Sequence, residues 1–201
     1  MNLNSGQSYL IIKNMLEKLN TSQYRIAAET GVSIAYVNNV VHRLADAGIV
    51  TLMRRGCRLK EPISLLERLA FDRPLSRLEI ERVRLPLTSI DDVERALAQT
   101  CEREGVDYAL TAFSGLRRFF EYHIGFPTIH SYVSTSVKGL EQGEGPITLI
   151  LLRPDHPGIL RDATTVNSMR VCDSVQIVID LYTSGVGRDA AIKYLEAIHR
   201  G

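Results

Sequence analysis

Between Gly31 and Gly48 lies the run "VSIAYVNNVVHRLADA", whose polar and small residues recur at helical spacing. Ser33, Ala35, Tyr36, Asn38, Asn39, His42 and Arg43 make up one side. Ile34, Val37, Val40, Val41 and Leu44 make up the other, a stripe spaced for burial. A small, hydrogen-bonding outer face suits a helix that must enter the DNA major groove. There asparagine can pair bidentately with adenine, and serine can bond several base edges. Soon after come Arg54, Arg55 and Arg58 around a turn at Gly56, placed to meet phosphates or to enter a minor groove.

The remaining candidate chemistry is sparser. His123, His130, Asp155 and His156 lie on separate segments, and no pair has metal-ligand spacing such as HExxH. Neither a GxSxG elbow nor a P-loop is present. "TAFSGLRRFF" places Ser114 and Gly115 after a strand, as a nucleotidyltransferase places its Gly-Ser turn, but in reverse order. Leu116, Arg117 and Arg118 follow where the metal-holding acidic pair should be, so metal-assisted phosphoryl transfer has no ligands. The expectation is a protein without catalytic residues, metal or cofactor. Arg117 and Arg118, read as lying near a helix N-terminus, are the candidates for gripping an acidic partner.

The elements that must position these residues read in three pieces. In residues 1–60, Ile12, Met15, Leu16 and Leu19 mark a first helix ending near Asn20. Thr21 or Ser22 caps a second over Gln23–Thr30, with Ile26 and Ala27 inward. Gly31 turns the chain, Ser33 caps a third helix to about Ala47, and Gly48 stops it. Residues 49–52 and 57–60 then alternate as a hairpin. Three helices and a hairpin in this order predict a winged helix-turn-helix, with Ala27, Gly31 and Val37 at its small, turn and buried positions. Winged helices also serve as protein-binding modules. Residues 61–88 read as a connector, a helix started by Pro62 and then a half-buried edge strand through Leu78, Ile80, Val83 and Leu85. Residues 89–201 read as a mixed α/β domain. Its strands are "DYALTAF", "TIHSYVSTS" and a central "ITLILLRP", and two helices are divided by "SGVG". Val175, Val178 and Tyr182 face one way in the first of these, and Ala191, Leu195 and Ile198 do so in the second. The predicted class is α+β: a winged helix-turn-helix, then an α/β domain for which an inactive nucleotidyltransferase-like fold is one option.

Composition agrees with this division. Hydrophobic residues are 45% of the 201, and no apolar run approaches the roughly 20 needed to span a membrane. The start "MNLNSGQSYL" lacks a signal peptide's basic region and cleavage site. Cys57, Cys101 and Cys172 are far apart, which predicts neither zinc nor disulfides and fits the cytoplasm. Residues 1–60 hold eight Lys and Arg against three Asp and Glu, a charge of +5, and the remainder holds 16 against 20, or −4. A basic piece on an acidic remainder predicts that one part meets a polyanion and the other does not.

"YALTAFSGLRRFF", "IHSYVS" and "VCDSVQIVIDLYTSGVGRDAAIKYL" together resemble the AbiEi-like antitoxin and transcriptional-regulator family of type IV toxin–antitoxin systems. The C-terminal block is carried by Gln176, Asp180, Leu181, Gly187, Arg188 and Ala191, and Ala112 stands where the family has glycine. The resemblance implies a winged helix that binds an operator and a second domain that counters a nucleotidyltransferase-like toxin. The expected partners are therefore double-stranded DNA, such a toxin and, for a dimeric regulator, a second copy of the chain. The alternatives are a one-component transcription factor whose α/β domain senses a small molecule, or an enzyme with an attached winged helix.

Overall fold

Helical spacing closes the first part of the chain around one apolar core. In the computed structural model, which describes residues 3–122 and 125–200, two compact units are present, Met1–Pro74 and Leu75–Gly201. The chain is a mixed α+β protein with two sheets. Among the described residues no helix is long and apolar enough to cross a membrane.

The first unit begins with α1 (Gly6–Glu17), which buries Tyr9, Ile11, Ile12, Met15 and Leu16. It ends before Leu19, whose carbonyl instead accepts the Leu59 amide at 2.8 Å. Next is β1 (Asn20–Thr21), a third strand that the hairpin pattern does not announce. α2 (Gln23–Thr30) is capped by Ser22, whose hydroxyl accepts the Arg25 amide. Gly31 closes α2 at φ +70, a left-handed conformation that glycine adopts without strain. α3 (Ile34–Asp46) is capped by Ser33 and buries Val37, Val40, Val41 and Leu44. Strands β2 (Val50–Met53) and β3 (Gly56–Leu59) form an antiparallel hairpin, with β3 between β1 and β2. The unit ends with α4 (Pro62–Asp72), whose Leu65, Leu66 and Leu69 are fully buried. Glu29 ties α1 to α2, since Lys18 and Asn14 donate to its carboxylate at 2.7 and 2.8 Å. Those contacts hold its carboxyl well below the usual range, at about 2.

The second unit is built on a six-stranded sheet. Its strands are β4 (Glu79–Arg84), β5 (Tyr108–Thr111), β6 (Thr128–Val133), β7 (Thr148–Leu152), β8 (Thr164–Val166) and β9 (Met169–Val171). Their spatial order is β4-β7-β6-β5-β9-β8, with β6–β7 and β5–β9 parallel and the other pairs antiparallel. The segment 61–88 thus divides, with its helix in the first unit and its strand on the edge of this sheet. α5 (Ile90–Glu104) lays Val93, Leu97 and Cys101 on Leu110, Ile129, Leu149 and Leu151. Residues of opposite parity, Thr111, His130 and Tyr132, point to the other face. There lie the short α6 (Ala112–Leu116), α8 (Ser174–Thr183) and α9 (Arg188–Arg200), with α7 (Gly158–Arg161) leading into the β8–β9 hairpin. α8 has no solvent side, because every residue from Val175 to Thr183 is buried. That corrects the one-sided stripe expected of it: sandwiched between sheet and α9, it needs apolar residues all round.

Candidate nucleic-acid interface

α3 presents Ala35, Asn38, Asn39, His42 and Arg43 to solvent as one stripe, set by positions three and four apart along a helix. Two expected members are placed differently. Tyr36 is half-buried and turns towards α1, its hydroxyl 3.3 Å from Ser5 Oγ and 3.1 Å from Ser8 Oγ. These hydrogen bonds, Ser5's first, hold its phenol below the ordinary tyrosine value. Ile34, expected in the buried stripe, is 39% exposed. The stripe Val37, Val40, Val41 and Leu44 is buried as expected, and the differences lie at its border, where Tyr36 turns to Ser5 and Ser8 and the first-turn isoleucine is left outside. Ser33 is exposed, and its hydroxyl is engaged in capping, accepting the Tyr36 amide at 3.3 Å.

Asn39, His42 and Arg43 make no side-chain hydrogen bond among the described residues, whereas Asn38 Nδ2 donates to Gln23 Oε1 at 2.8 Å. The hairpin carries its arginines where the sequence places them. Arg54 and Arg55 form the two-residue turn between β2 and β3, and Arg58 lies on the outer side of β3, between buried Cys57 and Leu59. All three are exposed, and among the described residues none is paired with a carboxylate. Other cations of this unit do pair: Lys18 and Arg25 with Glu29, and Lys60 with Glu61.

An open groove of about 530 Å³ joins α3 to the hairpin. His42, Arg54, Arg55, Gln23 and Tyr24 line it together with Leu52 and Met53, and no carboxylate does. Gln23, Tyr24, Leu52 and Met53 are additions that periodicity did not supply. The Gln23–Asn38 bond spans 15 residues, and Tyr24 is 79% exposed on a helix whose apolar residues would be read as core. The groove combines cationic, amide and apolar groups, which can pair with phosphate, base edges and sugar faces respectively.

The second unit places its candidates otherwise. Arg117 caps the C-terminal end of α6, not the start of a helix, and pairs with Asp91. Arg118 pairs with Glu94, a fully buried carboxyl that also has Arg117 3.8 Å away. Burial pushes Glu94 up while the two arginines pull it down, and the net direction is up. A carboxyl buried in apolar surroundings needs such counter-charges. Arg117 and Arg118, expected to grip an acidic partner, are thus paired with carboxylates of this chain. His156 is buried with Asp155 at 3.6 Å, and His130 lies in β6 beside Glu79 and Arg82. His123 lies outside the described residues. Among the described residues no group of three His, Cys, Asp or Glu could hold a metal ion.

Of the C-terminal block, Gln176, Asp180, Leu181, Gly187 and Ala191 are buried and Arg188 is exposed. Asp180 is fully buried and accepts from Thr111 at 2.6 Å, Tyr132 at 2.9 Å and Gln176 at 3.0 Å. A Cβ on Gly187 would stand 2.8 Å from the Leu181 carbonyl oxygen, and Arg188 lies over the Tyr182 ring at 5.2 Å. Ala112, directly after β5, has φ +50. No family model, curated protein or solved structure matches this chain.

Proposed function

We propose that this chain is a DNA-binding transcriptional regulator whose first unit works as a winged helix-turn-helix. α3 enters the major groove with Asn38, Asn39, His42 and Arg43 towards base edges, and Arg54, Arg55 and Arg58 hold the flanking backbone. The observation that carries this reading is the groove joining His42 of α3 to the turn arginines, lined by no carboxylate. Unpaired arginines beside a hydrogen-bonding helix face favour a polyanion that also carries readable edges. Site selection from a random duplex library with the full chain, followed by anisotropy titration at several salt concentrations, tests the reading. A selected motif and affinity that falls steeply with salt are expected. Failure to retain any duplex at about 50 mM salt, where phosphate contacts are strongest, overturns it.

A second reading concerns Leu75–Gly201. Some of the residues that carry the AbiEi-like resemblance cluster in space: Asp180 accepts from Gln176 and from Thr111 at the end of β5, next to Ala112 in a backbone conformation natural to glycine. That supports an antitoxin role, in which this unit counters a nucleotidyltransferase-like toxin. Co-expression with such a toxin encoded beside this chain tests it. Growth rescue by the full chain supports the role, and no rescue by the full chain ends it.

A further inference from the structure

Asn38 is the one amide on the exposed face of α3 whose orientation another side chain sets. Its Nδ2 donates to Gln23 Oε1 at 2.8 Å, and Gln23 is the first residue of α2. Asn39, one position on, has no such hydrogen bond among the described residues. A carboxamide is nearly symmetric in shape but not in chemistry, since one end only accepts and the other only donates. Unconstrained, it presents either order to a base edge by turning over. Bonded through Nδ2, Asn38 keeps one N–H on Gln23 and its Oδ1 free, an order that holds while Gln23 presents Oε1. Adenine in the major groove offers an acceptor at N7 beside a donor at N6, so a fixed amide order distinguishes it from the reversed edge.

We infer that Gln23 is a positioning residue for base readout: without touching a base, it fixes the amide of Asn38 and so sets the preferred base pair opposite it. The inference rests on the DNA-binding reading above. Gln23 also lines the groove beside Arg54 and Arg55, and its bond to Asn38 uses only Oε1, which leaves both Nε2 hydrogens for a phosphate. Pre-organising a hydrogen-bonding group before contact removes an ordering cost that the correct base would otherwise have to offset.

The test uses the full chain and its own selected site. Each base pair of that site is replaced in turn, and affinity is measured for wild type, Asn38→Ala, Gln23→Ala, Gln23→Glu and the double alanine variant. Wild type should discriminate about tenfold or more at the Asn38 position. Asn38→Ala and Gln23→Ala should each reduce discrimination to about threefold or less at that same base pair and leave the others unchanged, and the double variant should be no worse than Asn38→Ala. Gln23→Glu keeps an acceptor for Asn38 Nδ2, so it should retain the base preference. Its added negative charge should weaken binding to all sequences alike. A merely structural role for Gln23 would instead lower all affinities together in Gln23→Ala and would not be relieved by Glu. Unchanged preference in Gln23→Ala, or loss at a different base pair, overturns the inference while leaving DNA binding intact. A wild-type chain that selects no site overturns both.

Discussion

His130 is a side chain whose protonation should be felt in folding. It lies in β6, its Nδ1 has no hydrogen-bond partner among the described residues, and burial lowers it from 6.5 to about 4 despite the nearby Glu79. Between these values the unfolded chain holds a proton there and the folded chain does not, so stability rises with pH across that window. Below about pH 4 the folded state is protonated too and the contribution of His130 levels off. The shift corresponds to roughly 3 kcal/mol lost on going from pH 7 to pH 4. His130→Asn should therefore flatten the acid side of a urea-midpoint profile over that interval, and a profile as steep as wild type would show that another group titrates. On the first unit, Arg54→Ala with Arg55→Ala should weaken binding to specific and random duplexes alike. The slope of log K against log salt should flatten by about two units, at ~0.9 for each phosphate released. Asn39→Ala should behave oppositely, costing about 1–3 kcal/mol on the selected site and little on random duplex. Equal losses on both would place Asn39 on the backbone, and an unchanged slope in the arginine variant would remove the hairpin from the interface.

At the scale of elements, the strongest constraint in the second unit is the carboxylate of Asp180, which joins β5, β6 and α8 through Thr111, Tyr132 and Gln176. Asp180→Ala leaves three buried donors without that acceptor and should cost about 3–5 kcal/mol, read as a drop in urea midpoint. The junction beside it predicts the reverse. Ala112 adopts φ +50 at the start of α6, a conformation costing a non-glycine residue about 1–2 kcal/mol. Ala112→Gly should be neutral or gain up to about 1 kcal/mol, whereas Ala109→Gly, fully buried in β5 with no such backbone, should lose about 1–2. Equal losses at both positions would show that the methyl of Ala112 matters more than its backbone. These elements also show what the sequence could carry. The stripe Val37, Val40, Val41 and Leu44, the glycine stop after α3 and the arginine turn were legible, because each follows from local periodicity or turn chemistry. Tyr36 and Ile34 were not, because helical spacing leaves either one able to border the buried stripe, and only Ser5, just before α1, and Ser8 within it decide between them. The same holds for Arg117 and Arg118, whose partners on α5 lie more than 20 residues away.

For the whole molecule, the division of charge was visible in composition, but the boundary was not. Residues 1–74 carry ten Lys and Arg against six Asp and Glu, and residues 75–201 carry fourteen against seventeen. A reading from charge alone stops at Lys60, where the basic residues thin out. The apolar surfaces continue to Pro74, because α4 belongs to the first core and its partner in sequence, β4, to the second sheet. Prolines at 62 and 74 punctuate both ends of α4 equally, so nothing local says which side it joins. The difference is large enough to measure. Leu65, Leu66 and Leu69 are fully buried, and Arg73 is 1% exposed with its guanidinium over the Tyr9 ring of α1. Each leucine contributes about 1.5–3 kcal/mol by burial, so removing three takes away an amount comparable to the ~5–15 kcal/mol that holds a domain folded. Residues 1–74 should thus melt cooperatively and carry the DNA affinity of the full chain. Residues 1–60 should show no cooperative transition by circular dichroism and bind duplex weakly. Residues 75–201, net acidic and with their own core, should fold alone and leave duplex unbound at about 100 mM salt, where a basic surface would still bind. A 1–60 fragment that melts as sharply as 1–74 would return α4 to the role of linker, and duplex binding by residues 75–201 would move the interface out of the first unit.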